Sequence, residues 1–165
     1  MFSLLCALAL GEDTVALGED TVPPTPDTGV RIFLGAGSAQ NQGSVGEALE
    51  LGAHRVTYKN RVGSQLGGSL SFYRAGALTL PVLNADAMVR WRPSETWRVQ
   101  PYASAGIGLS MLLILPFPAA TIGLGLDIPV GNLHLDGALR GRWIADPYGQ
   151  TDGVSVTTLE LGLRV

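Results

Sequence analysis

The sequence predicts an all-β protein, an eight-stranded antiparallel up-and-down transmembrane β-barrel. Three observations carry that expectation. Of 165 residues, 46% are hydrophobic and only 15% charged, against about 25% charged in an average soluble domain. There are 22 glycines where usual composition gives roughly 12, yet no apolar run of the 18–20 or so residues that a membrane helix needs. From residue 28 onward, apolar and polar side chains alternate with period two, the pattern of strands with one apolar face.

The first 27 residues read as a separate region. MFSLLCALAL at 1–10 resembles the apolar part of a secretory signal, with small residues at Ala7 and Ala9, although it is short and has no positive start. ALGEDTV then occurs twice, at 9–15 and 16–22. Two seven-residue copies are too few and too short for a repeat fold, so they read as an acidic spacer. PPTP at 23–26 ends it as a linker. Cys6 is the only cysteine, which excludes a disulfide scaffold. The barrel is expected to occupy 28–165.

The strands follow in order. In 30–37, Val30, Ile32, Leu34 and Ala36 oppose Arg31, Phe33, Gly35 and Gly37; in 49–58, Leu49, Leu51 and Ala53 oppose Glu50, Gly52 and His54. Val62, Leu66, Leu70 and Phe72 oppose Gln65, Gly67, Ser69 and Ser71. Leu83, Ala85, Ala87, Val89 and Trp91 oppose Asn84, Asp86, Arg90 and Arg92, with Met88 as the exception. Val99, Ala103, Ala105, Ile107 and Leu109 oppose Gln100, Tyr102, Ser104, Gly106 and Gly108. Ile122, Leu124, Leu126 and Ile128 oppose Thr121, Gly123, Gly125 and Asp127. Leu133, Leu135, Leu139 and Trp143 oppose Asn132, His134, Asp136, Arg140 and Arg142. Last, Leu159, Leu161, Leu163 and Val165 oppose Glu160, Gly162 and Arg164. Val154 and Val156 have the opposite parity, which predicts a bulge near Thr157.

Strands of about nine to twelve residues cross a bilayer when tilted by roughly 45°. Lys59-Asn60, Pro93-Ser94-Glu95-Thr96 and Pro129-Val130-Gly131 read as short turns. Longer links at about 38–47, 74–82, 111–120 and 144–153 alternate with them. Even-stranded membrane barrels alternate their connections in this way, with both termini on the short-turn side.

Alternation does not say which face is inside. A soluble barrel of lipocalin-like kind, binding a small apolar ligand, turns the apolar set inward. Lipid is favoured because the apolar set is almost free of charge. The polar set mixes Arg, carboxylates, Ser, Gln and Gly, and can satisfy itself in a narrow core. Aromatics also gather at strand ends, at Tyr58, Phe72, Tyr73, Trp91, Trp97 and Trp143, as in an interfacial girdle. Arg55, on the apolar face, lies near a strand end, where its long side chain reaches the headgroups. The net charge of −3 points away from nucleic acid as a partner. The apolar link 111–120, MLLILPFPAA, reads as strand extension around a Pro-bounded turn, or as a contact for a partner.

PYASAGIGL at 101–109, LELGLRV at 159–165 and the strand–loop layout over 28–165 resemble the outer-membrane β-barrel superfamily of Gram-negative bacteria, the small eight-stranded barrels of the OmpA and OmpX type. The chain departs from that pattern by ending on Val165 where the family usually ends on an aromatic. The resemblance implies a bacterial outer-membrane location and a C-terminal strand read by the assembly machinery. It also implies an interior plugged by charge.

That interior is expected to hold Glu50, Asp86, Arg90, Asp127, Asp136, Arg140, Arg142, Glu160 and Arg164, with Arg31 among them. Buried guanidiniums and carboxylates must pair, and the neighbouring last strands suggest Asp136 and Glu160 with Arg140 and Arg164. His134 and Asp136, two residues apart on one face, could orient an imidazole as general base, with Ser69, Ser71 or Ser104 as nucleophile. An outer-membrane lipid-modifying enzyme is therefore an alternative to a structural or surface-interaction role with at most a narrow pore. The two histidines and scattered carboxylates have no metal-ligand spacing, and no phosphate-cradling loop is present, so no metal or cofactor is expected.

Overall fold

The computed structural model describes residues 28–75, 77–112, 114–146 and 153–165. The signal-like start and acidic spacer at 1–27 lie outside them. Eight strands run β1 (Thr28–Asn41), β2 (Ser44–Lys59), β3 (Val62–Ala75), β4 (Leu78–Trp91), β5 (Gln100–Leu112), β6 (Leu115–Val130), β7 (Leu133–Ile144) and β8 (Val154–Arg164). Each pairs antiparallel with its sequence neighbours, and β1 pairs with β8 to close the barrel. Closure satisfies both edges of the sheet, the condition for strands in hydrocarbon.

The register fixes the shape. From Thr28 it runs through Thr57, Ser64, Val89, Ala105, Ile122, Gly141 and Thr157, and returns to β1 at Ser38, ten residues higher on the strand. Ten residues of shear over eight strands mean a tilt of about 40° and an axial rise of about 2.5 Å per residue. Each strand step along the register climbs by about 1.25 residues. On this scale the wall is about 35 Å tall and both rims are nearly level.

Strands β1–β6 are longer than the sequence predicts because three of the four expected long links are themselves largely strand. Only positions 42–43, 76–77 and 113–114 separate β1 from β2, β3 from β4 and β5 from β6. Gln42 and Gly43 turn with φ of 45° and 80°, the type I′ geometry that matches strand twist. The fourth expected link, at 144–153, lies mostly outside the described residues. The opposite end holds both ends of the barrel, tight turns at 60–61 and 131–132, and an eight-residue link at 92–99 where a short turn was expected. Alternating backbone pairing continues wherever side chains allow it, so polar composition at 38–47 did not mean loop.

The predicted bulge at Thr157 is absent. Val156, Thr157 and Thr158 follow continuous register against both Ala39–Gly37 and Arg142–Arg140. Val156 instead points inward with Ala39, Ala48, Ala119 and Ile144, flanked by Tyr73, Phe117 and Val154. The lumen is polar through most of its height and closes at the hairpin end with an apolar layer, so β8 changes pattern without changing parity. Met88 is explained in the same way: it is an inward residue, buried over Gly106.

The outward set is exposed on every strand, with Ile107 at 72%, Ile122 at 67% and Leu161 at 70%. The inward set is buried. This orientation overturns the soluble ligand-binding alternative, which requires the reverse.

The polar interior as the candidate functional site

Six arginines (Arg31, Arg90, Arg92, Arg140, Arg142, Arg164) and five carboxylates (Glu50, Asp86, Asp127, Asp136, Glu160) are buried inside. Strand alternation puts all but Arg92 there, since each occupies the inward parity of its strand, and Arg92 follows directly on the end of β4. All nine residues of the predicted interior charge set are among them. Each of the five carboxylates meets at least one guanidinium.

Asp136, the fourth residue of β7 counted from the terminal end, is the hub. Arg31 Nε donates to Asp136 Oδ1 at 2.7 Å, Tyr102 Oη donates to the same oxygen at 2.9 Å, and Arg90 Nη2 donates to Oδ2 at 3.0 Å. Arg31 also reaches Glu160 at 2.9 Å, and Arg140 holds the other oxygen of Glu160 at 3.1 Å. Aromatic faces carry the cations: Arg90 lies 3.5 Å from the Tyr102 centroid and Arg31 4.6 Å from that of Phe33. Phe33 stacks on His54 at 4.9 Å, and Gln65 Nε2 donates to His54 Nδ1 at 2.8 Å. Such rings fit because glycine lies beneath them. A Cβ on Gly52 would stand 2.6 Å from Phe33 Cζ, and one on Gly125 would collide with the Tyr102 ring.

Toward the hairpin end, Arg142 bridges Glu50 at 3.1 Å and Asp86 at 2.5 Å. Ser69 donates to Glu50, and Asn84 links Ser69, Ser71 and Ser110. Toward the terminal end, Arg164 pairs with Asp127, whose Oδ1 lies 2.9 Å from His134 Nδ1. Arg92 lies 4.2 Å from the Tyr58 centroid and donates to Gln100 at 3.1 Å and to the Asn60 carbonyl at 3.2 Å.

The expected pairings hold only in part. Arg140 meets Glu160, but Asp136 takes Arg31 and Arg90, and Arg164 takes Asp127. The β7–β8 register places His134, not Asp136, opposite Arg164, and Asp136 opposite Gly162. Long side chains then reach across a narrow lumen to strands distant in sequence. The His134–Asp136 dyad is not assembled: His134 engages Asp127 and Arg164 instead. The suggested nucleophiles are bonded elsewhere, Ser69 to Glu50, Ser71 to Asn84 and Ser104 to the Gly123 carbonyl.

The aromatic set divides. Phe72, Trp91, Trp97 and Trp143 are exposed. Tyr58 is inward and buried beneath Arg92, and Tyr73 packs against the apolar layer. Both tyrosines sit on inward parity, a cue that position at a strand end obscured. Tyr102 and Phe33 as cation platforms were not anticipated either, although both lie on the predicted polar face.

The chain superposes on the crystal structure of Neisserial surface protein A with a TM-score of 0.68, at 16% identity, over 85% of this chain and 97% of that one. The fold is that of the small outer-membrane barrels. The outer membrane enzyme PagL superposes at 0.60, with 13% identity over 80% of this chain and 97% of that chain. The N-terminal barrel domain of Pseudomonas aeruginosa OprF does so at 0.53, with 17% identity over 84% and 98%. No protein-family model matches the chain, and no curated protein does.

Proposed function

We propose that the protein is an integral barrel of a bacterial outer membrane with a structural or surface-interaction role. Its lumen is a charge-paired plug rather than a wide pore. The observation that carries this reading is the inversion of the molecule: apolar side chains exposed around all eight strands, eleven charged residues sealed inside. Water penalises the first and lipid demands it.

The exposed aromatics fit the same reading. Phe72 and Trp143 lie toward the hairpin end and Trp91 toward the other, about 20 Å apart along the axis after correction for shear. Trp97 sits on the link beyond Trp91. An apolar band about 25 Å tall with aromatic borders is the expected pattern. The end that holds Thr28 and Arg164 would face the periplasm and the hairpin tips the exterior, with β8 as the strand that the assembly machinery reads.

Catalysis is not part of the proposal, because His134 is committed to an ion-paired cluster of Asp127 and Arg164. The test is planar-bilayer conductance of the reconstituted protein. A plugged lumen gives no large, steady channels; stable porin-sized conductance would refute it.

A further inference from the structure

On the shear-corrected scale, the upper edge of the apolar band is not level. On β8 and β1 the last outward apolar residues are Leu159 and Ala36, followed by Thr157, Ser155, Ser38 and Gln40. On β2 and β3 the same level carries Glu47 and Arg74, exposed and 3.8 Å apart. These residues form a polar collar above the band. On β5 and β6 the collar is missing, and on β4 it is reduced to Thr79, beyond Leu83 and Pro81. Met111 lies in register with Leu83, Leu70, Leu51 and Leu34, four strand steps from β1, and so stands level with residue 39 there. Pro116 stands one step higher still. Met111 and Pro116 thus rise about 8–11 Å above Ala36. Beyond them the β5–β6 tip carries Ile114, 84% exposed, and Leu115. No charged residue occurs between Tyr102 and Asp127.

We propose that this apolar break in the collar is a lipid-contact surface, and that hydrocarbon climbs higher on β4–β6 than on the β8–β1 seam. The inference rests on the membrane reading above and deepens it by naming what covers the apolar hairpin. Two facts select lipid as the occupant. The patch is continuous with the outward apolar faces of β5 and β6, with no polar row between Ile107, Leu109 and Met111. It also lacks the mix of charge and hydrogen-bonding groups that marks the rim of a protein interface. A short apolar span is matched by thinner bilayer and a tall one by thicker bilayer or by tilt. Bilayer against this barrel is therefore deeper on one side than on the other.

The test compares thiols introduced at nearly equal height. Ser38→Cys and Met111→Cys, each in a Cys6→Ser background, are reconstituted into phosphatidylcholine vesicles and treated with a charged, membrane-impermeant maleimide. Both positions lie at the same end of the barrel, so insertion direction affects them alike. The proposal expects the Ser38→Cys variant to react at least about tenfold faster than the Met111→Cys variant, because the thiolate forms only where water reaches it. Rates within about twofold of each other overturn it. A third variant, Leu161→Cys, at mid-band on β8, separates the two levels of the argument. If the Leu161→Cys variant also labels rapidly, the membrane reading itself fails; if it is protected and the Met111→Cys variant is not, only the collar inference fails. Efficient cross-linking of two copies of the Met111→Cys variant by a short bis-maleimide would overturn lipid in favour of a second copy as the occupant.

Discussion

Arg31 on β1 and Asp136 on β7 meet through a 2.7 Å hydrogen bond although 105 residues separate them in the chain. The contact passes over Gly162 of β8, the strand that lies between β1 and β7. It forms at complete burial, where an uncompensated charge is most costly, and so ties the first strand to the closing half of the barrel.

Asp136→Asn should therefore be among the most damaging interior substitutions. It leaves Arg31 with only Glu160, and it removes the carboxylate that Arg90 holds. Breaking a buried pair costs about 3–5 kcal/mol, which a urea midpoint in detergent micelles would reveal. A loss comparable to that of an exposed pair, as for Glu47→Gln beside Arg74, would contradict the hub.

Leu161→Arg tests the outer wall. Arginine at the bilayer midplane of a barrel costs about 2–4 kcal/mol, and close to nothing at the interface. Leu161→Arg should destabilise the protein in vesicles strongly, and Val165→Arg, at the strand end, only slightly. Equal costs at the two depths would show that no depth gradient acts on β8.

Gly52→Val tests the packing beneath Phe33. Its side chain would press on the Phe33 ring, which stacks on His54 and carries Arg31. Overpacking of this kind costs about 1–3 kcal/mol. Gly43→Ala, at a tip where the space around the Cβ is open, should leave the lumen untouched and affect only the β1–β2 turn. The order of the two unfolding midpoints checks the argument.

The wall was more legible in the sequence than its contents were. Alternation put every member of the interior charge set on the face where the structure has it, because a period-two strand leaves no other choice. It did not identify partners. Pairing across a lumen depends on shear, and shear comes from the register of all eight strands together; Arg164 finding Asp127 instead of Asp136 shows this. Tyr58 and Tyr73 read as girdle residues because strand-end aromatics look alike in sequence whether they face lipid or lumen, and only parity separates them. Val154 and Val156 looked like a slipped register because a wholly polar interior has no place for them, whereas the lumen ends in an apolar layer around Ile144. The polar residues of 38–47 looked like loop because collar strands above a membrane are as polar as loops.

The most direct test of the inverted barrel is far-UV circular dichroism with a heat-shift gel on protein refolded with and without detergent micelles. The account predicts β-structure and a compact, heat-sensitive band only when micelles cover the apolar wall. A monomer that folds fully in plain buffer would contradict it, since the exposed faces of Ile107, Ile122 and Leu161 would then have to lie inside.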